Sequence, residues 1–197
     1  MVAIDSDRDS IAAVRRLGVD ARMATWPGFK GGQFDAILFT RSLHHIHPLD
    51  ESVGCAVESL TEDGRIIIED FAYDSVDEKT LRWFRSSIRL FEATGLLISQ
   101  ARDEFLEKIL LKTETLDAWQ QNHERDLHTP AEIGAQLEEI FSRVIKEDAP
   151  YFFRYLAGAI APSERRDAIL QAFAEQEETL AADGSIVPLG RRFVAVR

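Results

Sequence analysis

The sequence predicts an α/β fold with a mostly parallel sheet, and two observations carry that prediction. Over the first 71 residues, apolar runs at 2–4 ("VAI"), 19–25 ("VDARMAT"), 34–40 ("FDAILFT") and 65–71 ("RIIIEDF") are separated by two helical patterns and one loop. The resulting order, β-α-β-loop-β-α-β, is that of parallel strands joined by crossover helices. The runs at 34–40 and 65–71 are also apolar nearly throughout rather than at alternate positions, which suits strands covered on both faces.

Each element has a local reason. Asp5 directly follows the first apolar run, so a short strand ends in an acid. Residues 6–17 put Ile11, Val14 and Leu17 on one helical face, with Ser6 or Asp7 as N-cap and Gly18 as the stop. "WPGFKGGQ" (26–33) is a Pro/Gly loop. Pro48 suits the first turn of a helix lined by Val53, Val57 and Leu60, and "EDG" (62–64) turns the chain into the run of three isoleucines.

From 77 to 128 the pattern becomes purely helical. Leu81, Phe84, Ile88 and Phe91 form one stripe, Phe105, Leu106, Ile109 and Leu110 another, and Leu116 and Trp119 begin a third. This stretch reads as a helical insertion within a single domain spanning 1–197. "TPAE" (129–132) opens the next helix, with Thr129 as cap, Pro130 in first position and Glu132 closing a capping box. Ile133, Leu137, Ile140 and Phe141 form its buried face. Residues 143–158 hold a strand interrupted near Pro150. A helix over 163–183 buries Ile169, Phe173 and Leu180, stops at Gly184, and carries a solvated charge run at 174–183. The chain closes with a strand at 191–197.

Composition narrows the function classes. With 34 acidic and 23 basic residues the net charge is −11. A field of that sign repels a phosphate backbone, so no nucleic-acid partner is expected. Cys55 is the single cysteine and can form neither an intrachain disulfide nor a cysteine metal cluster. No apolar run reaches the roughly 18 residues of a membrane span, and "MVAIDSDRDS" lacks the features of a signal peptide. No membrane partner and a cytoplasmic location are the expectations.

Three of the five histidines, His44, His45 and His47, fall within "TRSLHHIHPLDE". Imidazole serves as metal ligand or general base. The spacing matches none of the recognised metal motifs. On a turn entering a helix, His44 and His45 are expected to point in different directions. A metal-dependent hydrolase built on the three remains a distinct alternative, as does packing of the rings against the sheet end.

The strand-then-acid "VAID", the block "FDAILFTRSLHHI" followed by a helix, "DGRIIIEDFA", the helical insertion and the closing strands together resemble a class I S-adenosylmethionine-dependent methyltransferase, a Rossmann-like fold with an antiparallel C-terminal strand. The resemblance covers nearly the whole chain. It implies S-adenosyl-L-methionine as cofactor, a small-molecule acceptor and methyl transfer. By the same resemblance Asp5 binds the ribose hydroxyls, and Thr25 and Trp26 adjoin the adenine where the family often has an acid. Thr40, Arg41 and Ser42 lie at the carboxyl end of an inner strand on the cofactor side, where open α/β sheets bind ligands. Arg41 faces either the methionine carboxylate or a substrate acid. His45 or His44 is the candidate base, and Asp70, Tyr73, Trp83 and Trp119 are candidate acceptor contacts, the two tryptophans from a lid.

The resemblance also exposes a gap. The family places a strand and a Gly-rich turn before the acid, about 20 residues ahead of it, yet four residues precede Asp5. The chain therefore aligns from the family's second strand onward. The missing strand is central, between the second and fourth, so its absence leaves two unpaired edges. Three arrangements are open: Met1 is internal to a longer protein, the flanking strands pair directly, or another chain supplies the partner. The last makes a homo-oligomer through sheet edges an expectation, and a non-catalytic protein acting by association an alternative function.

Overall fold

The computed structural model describes residues 1–98, 104–111, 115–123 and 126–197. Strand β1 (Val2–Asp5), helix α1 (Arg8–Arg16) and β2 (Asp20–Met23) form a βαβ unit in which the strands pair in parallel. Asp7 is the N-cap, its carboxylate accepting from the Ser10 amide at 2.7 Å, and Gly18 takes φ +80° past the helix end. Ile11 is buried as expected, but Leu17 is 81% exposed.

The larger sheet contains β3 (Phe34–Thr40), β4 (Leu60–Phe71), β5 (Arg143–Ala149) and β6 (Gly190–Val196) in the order β3-β4-β6-β5. β3 and β4 are parallel, and β6 runs antiparallel to both its neighbours. The "EDG" turn becomes an irregularity inside β4. Register jumps from Phe34↔Leu60 to Ala36↔Arg65, and a Cβ on Gly64 would lie 2.9 Å from the Thr61 carbonyl oxygen. Leu60 accordingly belongs to the strand rather than to the preceding helix.

One face of this sheet is sealed. Ile66 and Ile68 of β4 with Phe193 and Ala195 of β6 pack beneath α2 (Leu49–Glu58) and α6 (Pro130–Ile140), whose Val53, Ala56, Ile133 and Leu137 are buried. The capping box of Thr129 and Glu132 forms as read from the sequence. Ile140 instead stays 42% exposed. On the opposite face Leu38, Ile67, Val194 and Ile145 are in register across the strands and only partly covered. The expectation that 34–40 is covered on both faces is thus corrected: Leu38 is 59% exposed, because it lies on the face turned away from α2 and α6.

β1 and β3 do not pair, which removes the direct-pairing arrangement. The small unit is tied to the larger sheet through its loop instead. Trp26 packs edge-on against Phe39 and donates to the Ser52 carbonyl at 3.0 Å, and the Cys55 thiol donates to the Pro27 carbonyl at 3.2 Å.

A second core lies beyond the carboxyl ends of β3 and β4. It gathers α3 (Glu78–Ala93), α4 (Glu104–Leu111), α5 (Thr115–His123), α7 (Phe153–Ala157) and α8 (Arg166–Ala182) around Phe84, Trp119 and Phe152. The predicted stripes of 77–128 supply its buried residues, except that Phe91 and Leu116 are only partly buried. Positions 99–103, 112–114 and 124–125 of that insertion lie outside the described residues. No helix among the described residues is long and apolar enough to cross a membrane.

Candidate functional site

The carboxyl ends of β3 and β4 open into a cavity of about 420 Å³. Its walls come from four directions: Arg41 after β3, His44 and His45 on a short 3-10 turn (Leu43–His45), Phe71 at the end of β4, Asn122 and His123 on α5, Leu127, and Tyr151 after β5.

The centre of the site is a buried acid–imidazole pair. Asp70 is 1% exposed and His44 4%. An Asp70 oxygen lies 2.5 Å from His44 Nδ1, without the alignment of an ordinary hydrogen bond. The carboxylate also accepts from the backbone amides of Phe71 at 2.9 Å and His44 at 3.3 Å. A buried carboxylate needs such partners, and here they fix the imidazole against the strand end. With Nδ1 turned to Asp70, Nε2 is the nitrogen left for a ligand. Asp70 therefore does not line the cavity, contrary to its reading as an acceptor contact.

The histidine cluster divides. His44 and His45 both line the cavity, with ring centroids 4.0 Å apart, correcting the expectation that they diverge. His47 turns to the segment before α6, its ring tilted against His128 with centroids 4.0 Å apart and Nε2 2.8 Å from the Asp126 carbonyl. The third imidazole of the cavity is His123, whose Nδ1 lies 2.9 Å from the Trp119 carbonyl and whose Nε2 lies 3.2 Å from the Tyr155 hydroxyl. Among the described residues no three His, Cys, Asp or Glu side chains converge as a metal site.

Three candidate acceptor contacts fall in packing positions. Trp119 is 1% exposed and donates to the Tyr73 carbonyl at 2.7 Å. Trp83 stacks on Phe173 at 5.3 Å. The Tyr73 hydroxyl donates to the Leu127 carbonyl at 2.8 Å, and burial holds its pKa above the ordinary value. Aromatic stripes on facing helices bury one another before they can line a pocket.

Tyr151 was not among the candidates. Its ring stacks on Phe71 at 4.8 Å and 11°, and burial pushes its phenol up to about 12 against the pull of Arg41. Glu177 of α8 fixes the backbone there, accepting from the amides of Tyr151 at 2.7 Å and Phe152 at 2.9 Å. Burial raises the Glu177 carboxyl to about 7 despite those bonds. The signal for Glu177 was its spacing: it lies four residues after Phe173 and three before Leu180, on the helix face assigned to the core. His123 likewise follows Trp119 by four. Asn122 and Tyr151 had no comparable signal.

The positions assigned to a cofactor lie along the strand ends before the cavity. Asp5 is exposed at the end of β1 and accepts from the Asp7 amide at 2.8 Å. Thr25 is exposed and Trp26 half-buried after β2, and Thr40 ends β3 with Ser42 just beyond.

No protein-family model matches the chain, and no curated protein matches it. Solved structures do. Phosphoethanolamine N-methyltransferase 2 of Haemonchus contortus, in complex with S-adenosyl-L-methionine, matches at TM-score 0.54 and 13% identity over 100% of this chain and 43% of its own. The plantazolicin methyltransferase BpumL, in complex with a pentazolic desmethylPZN analog and SAH, matches at TM-score 0.52 and 14% identity over 100% of this chain and 66% of its own. The chain has the class I S-adenosylmethionine-dependent methyltransferase fold. A second BpumL complex, with a monoazolic analog and SAH, gives TM-score 0.51 at 14% identity and again covers 66% of that protein, so the chain spans just under two thirds of the length of BpumL. Among the described residues the outer edges of β1 and β3 have no strand partner, and the cavity opens at the carboxyl ends of the strands, where open α/β sheets bind ligands.

Proposed function

We propose that the chain takes part in methyl transfer from S-adenosyl-L-methionine to a hydroxyl of a small molecule, with His44 as general base. The observation that carries this reading is the buried Asp70–His44 pair at the cavity wall. A carboxylate beside Nδ1 restrains the imidazole and leaves Nε2 as the nitrogen that accepts a proton. Such a device serves an acceptor that must lose a proton.

The residues fit the cofactor in part. The exposed carboxylate of Asp5 suits two ribose hydroxyls, Thr25 and Trp26 suit the edge and face of the adenine, and Thr40 and Ser42 lie on the path to the cavity. When bound, S-adenosylmethionine supplies an electrophilic methyl group on a sulfonium. His44 Nε2 accepts the hydroxyl proton as the acceptor oxygen becomes nucleophilic, and the ring face of Phe71 excludes water. The test is methyl transfer to hydroxylated small molecules, together with calorimetric titration of S-adenosylhomocysteine. His44→Ala should abolish transfer and leave nucleoside affinity intact. Wild-type turnover by that variant would remove His44 from the chemistry.

A second reading has its own observation. The edges of β1 and β3 are unpaired and Leu38 is exposed beside one of them, which suits association of chains by strand addition without catalysis. Light scattering across a concentration series decides it, and a monomer throughout would leave association without a mechanism.

A further inference from the structure

We infer that the cavity binds a small aromatic carboxylate, with Arg41 as the residue that receives the acid. The inference rests on the reading above for the hydroxyl presented to His44, but its charge and ring requirements stand on separate observations.

The first is the charge of the walls. The chain carries −11 overall, yet among the described residues the cavity lining holds a guanidinium, three imidazoles, an amide and a phenol, and no carboxylate. Two of the acids that adjoin the lining in sequence are engaged. Asp70 is buried behind His44, and Glu69 pairs with Arg154. A cationic, donor-rich recess in an acidic protein selects anions by contrast with its surroundings.

The second is Arg41 itself. Among the described residues it is the one non-glycine residue with positive φ, at 52°. That conformation is uncommon for a long side chain and tends to be kept where it aims a functional group. Its amide donates to the Glu69 carbonyl at 2.7 Å, locking the turn to the end of β4. Its guanidinium reaches the Tyr151 phenol, and among the described residues no carboxylate forms an ion pair with it. An arginine so directed offers the planar fork that a carboxylate accepts in two parallel bonds.

The third is the ring wall. Phe71 and Tyr151 stack nearly parallel, and Leu127 adds an apolar surface. The volume of about 420 Å³ suits a molecule of one or two rings.

The shared chemistry is a carboxylate, which an acceptor or the amino-acid end of the cofactor can supply, so the experiment separates the two. 4-Hydroxybenzoate, its uncharged analogue 4-hydroxybenzamide and S-adenosylhomocysteine are titrated calorimetrically into the wild-type chain and into Arg41→Gln, with thermal melts to confirm folding. Wild type should bind the benzoate about 10-fold or more tighter than the benzamide. Arg41→Gln should weaken the benzoate about 10-fold and leave the benzamide within about 2-fold. Equal wild-type affinity for the two ring compounds, or no affinity for either, overturns the inference without recourse to any variant. Arg41→Gln weakening S-adenosylhomocysteine alone assigns the guanidinium to the cofactor and also overturns it. A chain that prefers the benzoate through Arg41 yet fails to bind S-adenosylhomocysteine keeps the anion site and loses the methyl-transfer reading.

Discussion

In the four-stranded sheet, Ile66, Ile68, Phe193 and Ala195 are sealed beneath α2 and α6, with no more than 2% exposure each. In the βαβ unit of β1, α1 and β2, burial reaches only Ile11 and Ala21, while Leu17 and Met23 are 81% and 60% exposed. Both regions have well-made local structure: α1 is capped by Asp7 and α6 by Thr129. They differ in tertiary cover. Caps and propensities are worth about 1 kcal/mol each, whereas burying a large side chain is worth several times that, so cover decides which region is rigid. The division runs through the proposed site. The His44–Asp70 side rests on the sealed body, and the Asp5 side on the open unit.

The largest expected effect sharpens that division. Asp70→Asn removes the charge behind His44 while nearly keeping the shape, and should lower kcat for methyl transfer roughly 100- to 10,000-fold with little change in nucleoside affinity. A parallel loss of nucleoside affinity would show that the two sides of the site are one structural unit.

Next comes packing. Trp119→Ala opens the second core and should cost about 3–5 kcal/mol in urea denaturation, whereas Leu17→Ser on the open unit should stay within about 0.5 kcal/mol. Comparable losses would erase the contrast between the regions.

Glu177 tests the sealed body by pH. Burial raises its folded pKa to about 7, above the ordinary glutamate value of 4.5. The folded state therefore holds the proton more tightly, and this contribution is fully present below about pH 4.5 and lost as pH rises through 7. Between pH 5 and 8 the stability difference between wild type and Glu177→Gln should change by about 2–3 kcal/mol, with wild type the weaker at alkaline pH. A difference independent of pH would mean that the hydrogen bonds from the Tyr151 and Phe152 amides keep the carboxylate ionised throughout.

The smallest effect concerns caps. Asp7→Ala and Thr129→Ala each remove one side-chain acceptor and should cost about 1 kcal/mol of local helix stability. Amide exchange should register Asp7→Ala as opening of β1 and β2 alone, and Thr129→Ala without change in those strands. Coupled protection would join the regions.

What could be read from the chain follows from range. Strand and helix order, Asp7, Gly18, the capping box of Thr129 and Glu132, and the apolar stripes of α3 and α4 are set by residues within about one turn of each other, so periodicity and capping chemistry determine them. The unpaired edges were one of three arrangements left open by the strand order of the family that the sequence resembles, and no local pattern indicated them. Other outcomes depended on which surfaces meet. Leu38 was read as covered and is open, because a strand's second face is buried only by elements that reach it. Trp83 and Trp119 were read as pocket walls and fill the core, because facing aromatic stripes satisfy each other. His44 was separated from His47 and joined to His123, Tyr151 and a buried Asp70 by contacts across 26 to 107 positions of sequence. A cavity is the space left between packed elements, and no local pattern encodes where that space falls.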